Sequence, residues 1–347
     1  MATRANGGKR VRVGVVGAGA LGYHHVRIMR EMPGVSFAGF YEERPERAAQ
    51  VSSELGARAF PSLDALLAEV DAITVVVPTP AHFAVAKPAL DRGVHVLIEK
   101  PLAVTLDEAD ELLAAARSSG ALVQTGHVER FNRAVRAALP HVKDPRFIES
   151  DRLASFNPRG SDVAVVLDLM IHDIDLVRTL VGASVQDVSA VGVPVLTPFV
   201  DIANARLGFS SGAVANITAS RVSRERMRKI RLFQQSGYLS LDLGAGSGEF
   251  FRLRRDVDLA ELAKGPLALE AFVERIPLEA PEGEPLRLEF ESFLAALRGE
   301  QPVTVTGEDG REALDVALRI VREIERTLPA LAGTGAGTST LAANDRA

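Results

Sequence analysis

Residues 11–32, VRVGVVGAGALGYHHVRIMREM, decide the fold. Val11 to Val16 is a short apolar run. Gly17-Ala18-Gly19-Ala20-Leu21-Gly22 comes next, and a helical pattern continues to Met32. Strand, G-x-G-x-x-G and helix, in that order, form the context that the dinucleotide fingerprint requires. Gly17 permits the tight turn, Gly19 lets a pyrophosphate approach the backbone, and Gly22 lets helix and strand pack closely. The amides that open the helix, with its dipole, favour a phosphate there. A merely tight turn could use the same glycines, so the neighbouring segments must agree.

Pro33-Gly34 stops the helix, and Val35 to Tyr41 reads as a second strand ending at Glu42. Glu42 stands 25 positions after Gly17, against roughly 20 for a ribose-binding acid. A carboxylate there accepts from the ribose hydroxyls and repels a 2′-phosphate, which favours NAD. Arg44 keeps NADP open, and a solvated strand end is the other reading of Glu42. Pro45 starts a helix that Gly56 closes, and Ser62 caps another. Ala72 to Val77 is a continuous β-branched run, as a doubly covered strand should be. Pro78-Thr79-Pro80 comes after it, with Thr79 placed to cap the next helix, and His82 lies in its first turn. Pro88 should kink that helix.

Val94 to Ile98 is the next strand, and Glu99-Lys100-Pro101 stands at the end of the sheet where ligands bind. Pro101 stiffens the backbone beside Lys100; a plain surface lysine is the alternative. Thr105 with Glu108 makes a capping box, and Ala121 to Thr125 is a final strand. The alternation over 11–126 predicts a doubly wound parallel sheet, an α/β Rossmann domain.

From residue 127 the pattern changes. HVERFNRAVRAAL, 127–139, reads as one amphipathic helix with Arg130, Arg133 and Arg136 on its polar side. Arg130 or Asn132 could there meet an anionic substrate. A second domain begins near Phe147, and Phe156-Asn157-Pro158-Arg159-Gly160 leads into VAVVLDLMIHDIDLVRTLV, 163–181. That stretch is apolar nearly all round yet carries Asp168, His172, Asp173, Asp175 and Arg178. At about 100° per residue, Asp168, His172 and Asp175 share a wedge of roughly 60°. Ionisable groups on a buried stripe must be paired or face a cavity. A satisfied core histidine and a site fit that stretch equally. Val185 to Leu243 partly alternates, as in an antiparallel sheet with unlike faces. The basic run Arg221 to Arg231 reads as a solvated face before it reads as a phosphate site. Residues 286–298 and 308–328 read as helices.

The domains expected are a flexible tail over 1–10, the nucleotide domain over 11–126, an α+β domain over 127–328 and a disordered tail over 329–347. The last helix, about 308–328, is free to pack back on the first domain. With 47% hydrophobic and 24% charged residues and a net charge of -5, the chain reads as soluble and not as a nucleic-acid binder. No apolar run reaches the ~20 residues that span a bilayer. The absence of cysteine and of a secretory-type leader fits a cytoplasmic protein without thiolate metal sites.

GAGALG at 17–22, EKP at 99–101, GHVERFN at 126–132 and DLMIHDID at 168–175 together resemble the Gfo/Idh/MocA oxidoreductases. The resemblance runs from Val11 to about Leu328. Within that family, GHVERFN, FNPRGSDVAVVLDLMIHDIDL, VGVPVLTPFVDIANARL and VANITASRVSRERMRKIRLFQ look most like the bacterial UDP-N-acetylglucosamine 3-dehydrogenases. These oxidise the sugar 3-hydroxyl with NAD so that an amine can later be installed for lipid A. Arg133 departs from the proline expected in that subgroup.

The resemblance implies that Lys100, Asp168 and His172 converge at the nicotinamide, with His172 as base, Asp168 orienting it and Lys100 holding the reacting oxygen; the lysine is the alternative base. It implies cofactor contacts from the loop 17–22, Glu42, Pro78, Thr79, His82, Glu99, Lys100 and Pro101, and no metal. For the substrate it points to His127, Arg130, Asn132, Arg159 and Asp175, with Arg130, Arg159 and the arginines after Arg221 as unranked partners of a diphosphate. It further implies an open, mainly antiparallel sheet of about six strands, used for dimer or tetramer contacts. Two readings compete: a dehydrogenase of the same family acting on UDP-N-acetylglucosaminuronate, a hexose or an inositol, and a non-catalytic NAD-sensing regulator.

Overall fold

The computed structural model describes residues 10–158, 160, 163–254 and 272–328. The expected tails at 1–9 and 329–347, and Arg159, lie outside the described residues. The first sheet has five parallel strands in the order β2-β1-β3-β4-β5: β1 (Val11–Val16), β2 (Val35–Tyr41), β3 (Ala72–Val75), β4 (His95–Glu99) and β5 (Val123–Gly126). β1 and β3 are neighbours on which the order reverses, so the crevice of this α/β sheet opens above their carboxyl ends.

Helices α1 (Ala20–Glu31), α2 (Pro45–Leu55), α3 (Leu63–Leu67), α4 (His82–Asp91) and α5 (Leu106–Ser119) connect the strands. Ser62 accepts from the Ala65 amide, the Thr105–Glu108 capping box is complete, and Gly56 closes α2 in the left-handed conformation. Thr79 does not cap: it lies inside a short 3₁₀ turn, Thr79–Ala81, and α4 starts without a side-chain cap. The segment 127–139 is not one helix. A 3₁₀ turn (Val128–Phe131) ends at Asn132, whose side chain accepts from the Ala134 amide and opens α6 (Arg133–Ala138). Asn132 competes with the backbone for that amide, which is why helices begin at such residues.

The second sheet has eight strands among the described residues, not about six. They are β6 (Phe147–Leu153), β7 (Val185–Val193), β8 (Ile202–Phe209), β9 (Val214–Ser220), β10 (Met227–Gln234), β11 (Gly237–Asp242), β12 (Ser247–Leu253) and β13 (Val273–Leu278), in the order β13-β12-β11-β10-β6-β9-β8-β7. All neighbours are antiparallel except β6 and β9. One face is covered by a π-helical turn (Val166–Met170), α7 (Ile171–Val181) and α9 (Gly307–Thr327), whose apolar residues share one core with Ile148, Ile217, Ile230, Leu232 and Leu239.

Two late helices tie the halves together. α8 (Pro285–Leu297) buries Phe290 and Phe293 against Val26 and Met29 of the first sheet's layer. α9 packs Gly307 and Gly310 against Val123 and Thr125, where a Cβ would strike the neighbouring side chains, and Leu314 joins the core of the parallel sheet.

Candidate active site

The loop after β1 is shaped by its glycines. Gly17 has φ +89°, and a Cβ there would meet the Val76 carbonyl oxygen at 2.5 Å; a Cβ at Gly22 would strike the Gly17 carbonyl. Both are demanded by packing. Gly19 is not: its Cβ would find no protein atom nearer than Arg44 Nη2 at 4.0 Å. What Gly19 keeps clear is the approach to the α1 N-terminus, where unpaired amides and the helix dipole suit a phosphate. Glu42 turns back into this loop, accepting from the Ala18 amide at 2.8 Å and from Arg44 Nε at 2.8 Å. Burial raises its carboxyl, but the Arg44 and Ala18 hydrogen bonds outweigh that and hold it below the usual range. The loop amides could hold a phosphate and the ionised Glu42 carboxylate could accept from ribose hydroxyls, the two contacts a dinucleotide needs.

Pro78 and Thr79 stand beyond β3 at the same end of the sheet. His82 does not project into the crevice. It is buried, with Nδ1 2.9 Å from the Pro101 carbonyl oxygen and Nε2 3.0 Å from that of Val77, so it ties two crevice loops together. Burial lowers its pKa. Glu99 is also buried; His25 Nε2 lies 3.2 Å from its Oε1 without hydrogen-bond alignment. Burial raises this carboxyl, and His25 and Lys100 pull it down further, to a net lowering. The Lys100–Pro101 peptide is cis.

Lys100 reaches across to the second half of the chain. Its Nζ donates to the Asp168 main-chain carbonyl at 2.6 Å and lies 3.5 Å from Asp168 Oδ1. Burial lowers its pKa, against the opposing pull of Asp168 and Glu99. One turn further on, the His172 imidazole has its Nδ1 buried without a hydrogen-bond partner. Burial, then Lys100, Arg152, His127 and Arg228, push it well below the ordinary histidine value. No hydrogen bond joins Asp168 to His172 among the described residues; the carboxylate belongs to Lys100. Gly160 packs on that carboxylate, where a Cβ would lie 2.8 Å from Oδ2.

The expected stripe divides among different partners: Asp168 lies in the π turn against Lys100, whereas Asp175 lies on α7 against Arg130. Asp175 points away and forms a bidentate pair with Arg130, at 2.8 and 2.5 Å, and Arg130 also lies 3.4 Å from Asp309. Arg130 and Asp175 thus satisfy each other inside the protein. Asn132, with Ala134, Glu129 and Leu243 as partners, is equally engaged. His127 is buried, edge-on to His172 with ring centroids 6.4 Å apart, and neither of its nitrogens has a hydrogen-bond partner.

A group missed in the sequence underlies these residues. Asp173 accepts from Ser150 and Arg152, at 3.0 and 2.6 Å, and Arg152 reaches Glu129 at 2.9 Å. Such a buried set holds α7, β6 and the 128–131 turn in register, because removing one member strands a charge. The alternation Ile148, Ser150, Arg152 on β6, facing a helix that carries Asp173, was the available signal. Among the described residues no group of three or more His, Asp or Glu gathers as a metal site would, and no helix is long and apolar enough to cross a membrane.

Residues 11–127 match the family described as "Oxidoreductase family, NAD-binding Rossmann fold", and residues 132–240 match the "GFO/IDH/MocA C-terminal domain". The chain is 39% identical to a UDP-N-acetylglucosamine 3-dehydrogenase of Acidithiobacillus ferrooxidans over 92% of its own length and 98% of that protein. A solved structure of that enzyme superposes with a TM-score of 0.83, covering 91% of this chain and 98% of that one. A scyllo-inositol 2-dehydrogenase (NAD(+)) of Bacillus subtilis is 29% identical over 62% of this chain and 68% of that protein.

Proposed function

Because the chain belongs to the Gfo/Idh/MocA oxidoreductases, with an NAD-binding Rossmann domain, we propose that it oxidises the 3-hydroxyl of UDP-N-acetylglucosamine to the 3-keto sugar nucleotide. The observation that carries this reading is the end-to-end likeness, in sequence and in structure, to an enzyme of that name.

The backbone of Gly17, Ala18, Gly19, Ala20, Leu21 and Gly22 and the Glu42 carboxylate hold NAD, which when bound supplies the hydride acceptor. Lys100 Nζ, fixed by Asp168, donates a hydrogen bond to the reacting hydroxyl and stabilises the alkoxide that develops there. The His172 imidazole, kept unprotonated by burial and neighbouring cations, takes the hydroxyl proton as general base. Asp168 acts as the residue that positions Lys100. Self-association through the outer face of the eight-stranded sheet is part of this reading, supported by Phe147, Phe233, Tyr238 and Phe251, which stack there across four strands.

The test is NADH formation from UDP-N-acetylglucosamine, with UDP-N-acetylglucosaminuronate, a free hexose and an inositol in parallel. Turnover should be fastest with the first. Turnover of inositol alone would replace the substrate, and tight NAD binding without any turnover would make the chain a regulator.

A further inference from the structure

A sugar nucleotide brings a diphosphate to within two ring carbons of the reacting position, so a cation is needed close to His172. We infer that Arg228, on β10, is the residue that binds this diphosphate, an inference that rests on the sugar-nucleotide reading above.

The strand register places it. Arg228 pairs directly with Arg152 across β10 and β6. On β10 the residues facing the helical layer are Ile230, Leu232 and Gln234, all buried; Arg228 continues that alternation and so lies on the side of α7 and His172. Its Nη1 is 3.8 Å from Glu129 Oε1, the carboxylate that already accepts from Arg152 at 2.9 Å. Two arginines directly opposite on one face repel each other. Arg152 is compensated by Asp173 and Glu129 inside the protein and is 5% exposed, whereas Arg228 has a loose share of Glu129 and is 57% exposed. An anion arriving from solvent relieves that repulsion at Arg228 and nowhere deeper. Burial lowers the His172 pKa most, and Lys100, Arg152, His127 and Arg228 act in the same direction, so the charge of Arg228 is felt at His172.

Arg130, Arg221, Lys229 and Arg231 are engaged or face away. Arg130 is paired with Asp175 and Asp309. Arg221 donates to the Gly160 and Val163 carbonyls, both at 2.5 Å. Lys229 and Arg231 lie on the opposite face of β10, and Arg231 is paired with Glu149.

The experiment measures UDP binding by calorimetry, in the presence of NAD, and KM for UDP-N-acetylglucosamine for wild type, Arg228→Gln, Arg228→Lys and the opposite-face control Lys229→Gln. Loss of a charge-assisted contact to phosphate should raise both the UDP dissociation constant and KM about 10- to 100-fold in Arg228→Gln. KM for NAD should stay unchanged, Arg228→Lys should recover most of the loss, and Lys229→Gln should match wild type. Wild-type UDP affinity in Arg228→Gln overturns the inference and leaves the sugar-nucleotide reading standing. A wild-type protein that neither binds UDP nor turns over any UDP-sugar overturns both.

Discussion

Lys100 at the end of β4 and Asp168 in the π turn before α7 are joined twice, through the main-chain carbonyl and through the carboxylate. The pair spans the two halves of the molecule, so the Lys100 amine is fixed by the domain that does not carry it. Lys100→Met should lower kcat by about a hundred- to ten-thousand-fold while the dissociation constant for NAD, measured by calorimetry, stays near wild type. Asp168→Asn removes the influence that raises the lysine pKa against burial. The limb of the pH profile on which Lys100 loses its proton should therefore move to lower pH. An unmoved limb would show that Asp168 does not govern the amine.

His172 has the reverse signature. A base whose pKa is lower folded than unfolded binds its proton later in the folded state. It therefore destabilises the fold as pH drops below about 6.5, the unfolded value. The acid limb of kcat/KM should lie below that value, and His172→Gln should remove the limb along with most of the rate. The same variant should lose less stability than wild type between neutral and mildly acid pH. Urea denaturation at a series of pH values reads this directly, and identical slopes in the two proteins would count against a neutral imidazole with a lowered pKa.

Distance along the chain decides how much of this is legible in the sequence. The parallel sheet announces itself because its signals are local: the glycines at 17, 19 and 22, the apolar runs, the caps at Ser62 and Thr105. Lys100 and His172 stand out through short motifs. Their partners do not. Arg152 is 21 residues from Asp173 and 23 from Glu129, and nothing short of the sheet register brings them together. The stripe of Asp168, His172 and Asp175 assumes an ideal helix, whereas Asp168 lies in a π turn and each carboxylate has its own cation, Lys100 or Arg130. β12 and β13 escape a reading by pattern because SGEFFRL and VERIPL alternate weakly near one edge of the sheet.

Glu289 on α8 is fully buried, and neither carboxyl oxygen has a hydrogen-bond partner. Burial, with Glu99 and Asp175 adding to it, raises its pKa well above 4.5. An acid with a raised folded pKa costs nothing below its unfolded pKa and destabilises increasingly as pH rises above it. Glu289→Gln should gain on wild type by up to about 1.4 kcal/mol for each pH unit above ~4.5 until the folded carboxyl ionises. Parallel stability curves for the two proteins would refute the protonated carboxyl.

Cofactor choice should depend on Glu42 and its neighbour. The carboxylate binds Arg44 and the Ala18 amide and is ionised at neutral pH. Glu42→Ala removes the ribose acceptor and frees the Arg44 guanidinium for a 2′-phosphate. KM for NAD should rise about tenfold or more, and the ratio of NADP to NAD turnover should rise with it. A variant that weakens NAD without gaining NADP would place Arg44 elsewhere.

Gly19 and Gly22 separate cofactor binding from folding within one loop. A methyl at Gly22 strikes the Gly17 carbonyl, a backbone atom that cannot swing aside. Gly22→Ala should therefore cost stability, by about 1–3 kcal/mol in the range of other overpacked sites, with or without cofactor. Gly19 has φ -61°, which alanine adopts freely, and its methyl would touch no protein atom closer than 4.0 Å. Gly19→Ala should melt within a degree or two of wild type when free of NAD, because the site gains nothing to clash with. It should nevertheless lose NAD affinity, since the methyl occupies the approach a pyrophosphate needs. Thermal melts with and without NAD distinguish the two: the cofactor-induced rise in Tm vanishes in Gly19→Ala, while Gly22→Ala starts lower. Equal cofactor-induced shifts in wild type and Gly19→Ala would move the phosphate site away from the α1 N-terminus.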